Sequence, residues 1–281
     1  DFRQTFEVPR LVGTPASRGE QVGAAMIADG PDEVTVRVRE QLLQGASHIK
    51  LTAGGGVSSP HSPIDASTFT EAELRAAVEA AANWGTYVTV HAYTPTSIRR
   101  AVAAGVRSIE HGHLMDDATA RLLAEKDVWL SMQPFPDDLI ESFPPGSYQR
   151  AKAALVFAGT AKTYELTRKH RVKLAWGSDV LFSAALARQQ GALLAKITTW
   201  FTPAEALAQA TSANGQLLAL SGERNPYPGR LGVVAEGARA DLLLVDGNPL
   251  ENIALVANPE RSFQVIMKDG VIYKNTLATG R

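Results

Sequence analysis

The chain has 281 residues, with 28 Lys and Arg against 29 Asp and Glu and a formal net charge of −1, so neither nucleic acid nor a charged membrane surface is indicated as a partner. With 45% hydrophobic, 20% charged and 7% aromatic residues it can bury a sizeable core, which excludes a disordered or fibrous chain. There is no cysteine, so any metal must rest on imidazole, carboxylate or a lysine-derived oxygen. No apolar run reaches the ~20 residues of a membrane helix. No charged-then-apolar leader follows Asp1, and the expectation is a soluble, cytoplasmic protein whose native start lies upstream.

Residues 1–30 hold Pro9, Pro15 and several glycines without a period and read as loop. Val34, Val38, Leu42 and Leu43 then recur at helical spacing over 31–44 and stop at Gly45. His48 to Thr52 is a short, partly β-branched strand that runs into the Gly54-Gly55-Gly56 turn. Thr70 and Glu73 form a capping box for an Ala-rich helix over 71–83. The cycle repeats with a strand at 86–91, a helix at 95–104 opened by proline, a strand at 106–110, a helix near 116–125 and a strand at 128–131. A Pro-rich loop at 134–146, one long helix near 147–169, a strand at 172–176 and helices near 184–197 and 203–219 follow. This alternation predicts right-handed βαβ units and a parallel sheet of about five strands.

From Gly229 the texture changes. Segments 230–236 and 240–245, with a hairpin of 263–268 and 271–274 around Asp269-Gly270, read as short strands of a β appendage. The expected division is 1–228 for the α/β part and 229–281 for a small β-sandwich-like domain.

Ligands of a parallel α/β sheet gather at the carboxyl ends of its strands. Lys50, His91, His111 and Asp179 fall there, and two imidazoles, a carboxylate and a lysine from four strand ends suit a divalent metal. Singly, each has a plainer job: a histidine can be a hydrogen-bonded wall residue, Asp179 can cap a turn, and Lys50 can extend its amine to solvent. Joint placement favours the site. His48, His61, His113 and His170 read as structural or exposed. A lysine with a pKa of about 10.4 is a cation that repels metal. Addition of carbon dioxide would convert it to a carbamate whose two oxygens can bridge two cations.

Lys50 in HIKLTAGGG, His91 in VTVHAYT, His111 in SIEHGH and Asp179 in AWGSD resemble the metal-binding ends of strands four, five, six and eight in the amidohydrolase superfamily. The runs GRLGVVAEGARADLLLVDGNPL and VIMKDGVIYKN resemble the small β-domain of its imidazolonepropionase-like, Xaa-Pro dipeptidase-like branch, so the resemblance covers nearly the whole chain. It implies an α/β fold, a (β/α)8 TIM-type barrel of which this chain carries strands four to eight, with a C-terminal β appendage. It also implies two divalent metal ions, Zn²⁺ first and Mn²⁺, Fe²⁺ or Co²⁺ as substitutes, held with a carbamylated Lys50. The chain departs from the pattern in one respect: no His-x-His pair precedes Lys50, and His111-Gly112-His113 has that spacing in the strand-six context. The expectation is an N-terminal segment with strands one to three and the histidine pair outside this chain, or a truncated product with a partial site.

The resemblance further implies that His91 and His111 hold the more exposed metal, Lys50 bridges, and Asp179 binds the more buried one. Asp179 then serves a metal-bridging hydroxide first as base and afterwards as acid to the leaving amine. Tyr93 either hydrogen-bonds the oxyanion or a substrate carboxylate, or packs on the barrel rim. Gly56 and Val57, in the glycine loop, either offer backbone N–H groups to a terminal carboxylate or form a plain turn. Specificity is expected in loops 58–67 and 134–148. The implied activity is metal-dependent hydrolysis of dipeptides or N-acyl amino acids. The alternatives are an inert fragment or pseudoenzyme, a hydrolase of a cyclic amide or related C–N bond, and an open five-stranded binding protein. The expected partners are a small-molecule or dipeptide substrate, without nucleic acid or membrane. A homo-oligomer or an N-terminal companion segment is expected to cover the sheet edges.

Overall fold

Alternation of β-branched and polar residues builds five strands: β1 (Ile49–Thr52), β2 (Val88–Ala92), β3 (Ser108–His111), β4 (Trp129–Met132) and β5 (Leu174–Trp176), hydrogen-bonded in chain order in one sheet. This computed structural model describes residues 18–59, 61–135, 137–180 and 184–277. Of the loop expected over residues 1–30, residues 1–17 lie outside the described residues, and Arg18–Gln21 forms a short helix where the sequence shows no helical period. Helices alternate with the strands as a partial TIM-type barrel requires. They are α1 (Arg18–Gln21), α2 (Pro31–Leu43), α3 (Glu71–Ala82), α4 (Pro95–Ala104), α5 (Asp117–Glu125), α6 (Tyr148–Ala158), α7 (Thr160–His170), α8 (Ala184–Ala187), α9 (Gln190–Lys196), α10 (Pro203–Ala208) and α11 (Asn214–Leu218). A second, three-stranded antiparallel sheet joins β6 (Leu242–Val245), β7 (Phe263–Lys268) and β8 (Val271–Asn275).

The chain forms two compact units. The first comprises Asp1–Ser131, Asp137–Lys173 and Leu220–Asn225, and the second Met132–Pro136, Leu174–Ala219 and Pro226–Arg281. In the first, the parallel register sets Thr52 beside His91 and His91 beside Glu110, while Val90 stands beside Ile109 and Ile109 beside Leu130. Because strand side chains alternate, Ile49, Leu51, Val88, Val90, Ile109 and Leu130 make one apolar, buried face. Lys50, Thr52, Thr89, His91, Ser108, Glu110, Trp129 and Ser131 share the other, polar at every position but Trp129. A parallel sheet is ordinarily apolar on both faces, so a polar row marks a surface kept for chemistry. Buried stripes at Val34, Val38 and Leu42 of α2, Leu74 and Ala77 of α3, Ile98 and Ala101 of α4, and Ala120 and Leu123 of α5 complete this core.

Three local expectations are corrected. The single helix over 147–169 is divided into two at Gly159, where a Cβ would lie 1.9 Å from the carbonyl oxygen of His113. Segment 230–236 is not a strand and keeps only an isolated bridge from Arg230 to Ala238. Left-handed Gly229 and Gly232 turn the chain there, and a side chain on Gly232 would strike the Thr211 carbonyl. The helix over 203–219 contains a π turn at Gln209–Ala213.

In the second unit, Leu194, Ile197, Ala206 and Val256 form a core joined by Trp176, Phe201, Ile253 and Phe263. Asn214, just after the π turn, accepts from the Trp176 N–H at 3.0 Å and donates to the Trp176 carbonyl at 3.0 Å. One side-chain amide thereby satisfies both backbone groups of Trp176.

The capping box forms as the sequence predicts, with Thr70 and Glu73 bonding each other's backbone N–H. Glu73 also accepts the Gly30 N–H at 2.7 Å, tying the start of α2 to that of α3 and holding its own pKa below the usual carboxylate value against the cost of burial. Glu73→Ala is therefore expected to lower unfolding free energy by about 1–2 kcal/mol, read from the urea midpoint at an unchanged m-value.

Candidate metal centre

The first unit gathers four aromatic side chains at the carboxyl ends of β2 and β3. The ring of His91 lies 4.5 Å from that of His111, edge to face, and 4.7 Å from that of Tyr93. Tyr93 stands 5.3 Å from His111 and 6.0 Å from His113. Tyr93, His111 and His113 are buried, and His91 partly so.

His91 arrives by simple alternation, on the polar face of β2. His111 does not, since its register partner is Ala92, and regular pleating would send its side chain to the opposite face from His91. A φ of +81° at His111, followed by left-handed Gly112, turns the imidazole toward His91 instead. Such a conformation is costly for a residue with a Cβ and persists where surrounding structure demands it.

The protonation pattern of His91 is set by its neighbours. Its Nε2 lies 2.8 Å from the carbonyl oxygen of Gly55. A carbonyl only accepts, so Nε2 carries the proton and Nδ1 keeps its lone pair. Burial is the main force that pushes the His91 pKa down to about 4, the Gly55 hydrogen bond opposing it and the charge of Lys50 adding to it. The ring is neutral at pH 7, which is the form a metal needs.

Lys50 is exposed on β1, on the same face as His91, and its influence on His91 is electrostatic. Of the glycine loop, Gly55 donates its N–H to Ala66, and a Cβ on Gly56 would lie 3.8 Å from His91 Nε2, in ordinary contact with the ring. Val57 is partly buried. Asp179 belongs to the second unit, where it follows β5 by three residues and, like His111, has a positive φ, of 50°. Among the described residues no group of three or more His, Asp or Glu side chains stands close enough to hold a metal.

The donor chemistry present is of a kind that suits a divalent cation, since imidazole nitrogen is a common ligand and two imidazoles stand side by side with ring centroids 4.5 Å apart. As an ammonium Lys50 would oppose such a cation, and as a carbamate it would attract one.

A family model described as the amidohydrolase family matches residues 7–274. The chain belongs to the amidohydrolase family. Ochratoxinase of Aspergillus niger is 30% identical over 255 residues, covering 90% of this chain and 51% of the relative, so the chain spans about half the length of the curated relatives it matches. A solved amidohydrolase is 37% identical with a TM-score of 0.85, covering 95% of this chain and 65% of that one. A prolidase solved with N-methylphosphonate-L-proline is 34% identical with a TM-score of 0.82, again covering 95% and 65%.

His113, expected to be structural or exposed, is buried beside Tyr93 and His111. Two members of this neighbourhood, the Gly55 carbonyl and Lys152, carry no local signal in the sequence. The strained backbone at His111 gives a direct check. His111→Val is expected to unfold at lower urea than His111→Asn, by about 1–3 kcal/mol, because asparagine tolerates a left-handed φ and a β-branched residue does not.

Proposed function

We propose that the chain forms the strand-four-to-eight part of a metal-dependent hydrolase that cleaves the amide bond of dipeptides or N-acyl amino acids, with proline or an apolar residue on the C-terminal side. The observation that carries this reading is the pair of imidazoles at adjacent strand ends, one held in the Nε2–H tautomer by Gly55 and the other turned toward it by a positive φ. Similarity to a prolidase supports the substrate class, and similarity to ochratoxinase agrees with a C–N hydrolase.

His91 and His111 would hold one of two divalent metals, with Zn²⁺ the first choice. Carbamylated Lys50 and Asp179 would complete the set. A bound metal supplies polarisation of the scissile carbonyl and activation of water near neutral pH. Asp179 accepts a proton from the attacking water and delivers it to the leaving amine. Tyr93 orients the substrate by a hydrogen bond to its carbonyl or carboxylate oxygen, and Gly56, lacking a side chain, leaves room beside His91.

A second reading, an inert fragment, draws on the absence of any three-residue acidic or imidazole cluster among the described residues. Turnover of a dipeptide panel by this chain with added Zn²⁺ separates the two. On the hydrolase reading, Asp179→Asn lowers kcat by about 10²–10⁴-fold. His91→Ala and Lys50→Ala lose bound metal by elemental analysis, and intact mass finds one added CO2 that Lys50→Ala lacks. Unchanged metal content in both variants would count against it. The exposed Leu242, Leu243 and Leu244 of β6 call for cover by a second copy or a companion segment. Sedimentation of this chain as a well-behaved monomer would contradict both.

A further inference from the structure

Lys152 lies on α6, in the first unit, far in sequence from the histidines. Its Nζ donates to three backbone carbonyls of one loop: Gly56 at 3.2 Å, Ser59 at 2.6 Å and Ser62 at 2.7 Å. An ammonium has three N–H groups, so this grip uses every donor and leaves none for a substrate. One turn earlier on the same helix, Tyr148 donates its hydroxyl to the Ser58 carbonyl, and its ring lies 5.4 Å from Nζ.

The loop so held is narrow. A Cβ on Gly55 would lie 1.7 Å from the Pro63 carbonyl oxygen, and Gly55 donates its N–H to Ala66 across the neck. Its carbonyl meets His91 Nε2. The peptide that carries this carbonyl ends at Gly56, the first residue Lys152 grips. Glycine has the widest backbone freedom of any residue, so a run of three needs an external hold to keep one carbonyl aimed.

We propose that Lys152 is a positioning residue: by gripping the Gly56, Ser59 and Ser62 carbonyls, its ammonium holds the Gly55 carbonyl on His91 Nε2 and so fixes Nδ1 as the nitrogen presented to the site. The catalytic meaning of this latch rests on the hydrolase reading above, while the latch itself does not. It also fastens Ser59 and Ser62, from one of the two segments expected to set specificity, to α6, whose first residue, Tyr148, ends the other.

The test compares the full wild-type chain, without metal, with Lys152→Met, which keeps the stem and removes the donors. Long-range ¹H–¹⁵N correlation spectra report the His91 tautomer, assigned by the signal missing in His91→Gln. Wild type is expected to show a proton on Nε2 and Lys152→Met a mixture of tautomers. Hydrogen exchange at the Gly55 amide should rise by about tenfold or more in the variant, with Val90 and Ile109 in the sheet unchanged. If Lys152→Met fails to fold, Lys152→Gln takes its place with the same readouts. Lys152→Arg is expected to fall between, since a planar guanidinium cannot converge on three carbonyls. An unchanged tautomer together with unchanged Gly55 exchange overturns the latch. Zn²⁺ affinity should drop by about 10–100-fold in the variant. Wild-type protein that binds no metal would overturn the hydrolase reading and leave the tautomer result standing.

Discussion

The hydrogen bond between His91 Nε2 and the Gly55 carbonyl is the constraint around which the rest of the first unit's site is arranged. It decides which nitrogen keeps a lone pair, and burial together with the Lys50 charge keeps the ring unprotonated. The β2 strand supplies the position, its alternation placing His91 on the polar face beside Thr52 and Glu110. Glu110 itself accepts from the Thr89 hydroxyl at 2.6 Å, so the row is internally bonded below the imidazole. The site thus combines a rigid strand for placement with a glycine turn for tautomer control, and the two have different tolerances to substitution.

Backbone strain is the second device. His111 and Asp179, each just past or at a strand end, both adopt left-handed conformations that cost free energy for residues with a Cβ. At His111 the consequence is visible, since the imidazole leaves the face its register assigns and packs against His91. Gly112 makes the turn possible by its own positive φ, and a side chain there would press on Leu130. The backbone geometry, and not strand alternation, explains how the His111 imidazole reaches its place.

Much of the fold was legible because its signals are local. Pro95 and Ala104 bound α4 at the residues predicted, the Thr70–Glu73 box formed, and Asp269-Gly270 turned the hairpin with two positive φ values as such a dipeptide should. The strand ends carrying His91 and His111 were legible for the same reason, whereas Lys50, expected at a strand end, falls at the second residue of β1, beside Thr89 and not His91. The division at Gly159 and the turn at 230–236 were not legible, because the contacts that require glycine there, with the His113 carbonyl and with Thr211, lie far off in sequence. Lys152 acts on carbonyls 90 to 96 positions away, and backbone oxygens leave no mark in a sequence. The charge state of Lys50 is invisible for a further reason: it is a matter of chemistry at the amine, not of fold.

Gly159 joins these observations. It separates α6, which bears Lys152, from α7, whose Thr163 donates to the His113 carbonyl that Gly159 also abuts. The junction between the two helices is therefore seated on the backbone of the histidine cluster. A side chain at Gly159 would meet the His113 carbonyl, so a mutation at that joint would reach the imidazoles through the main chain.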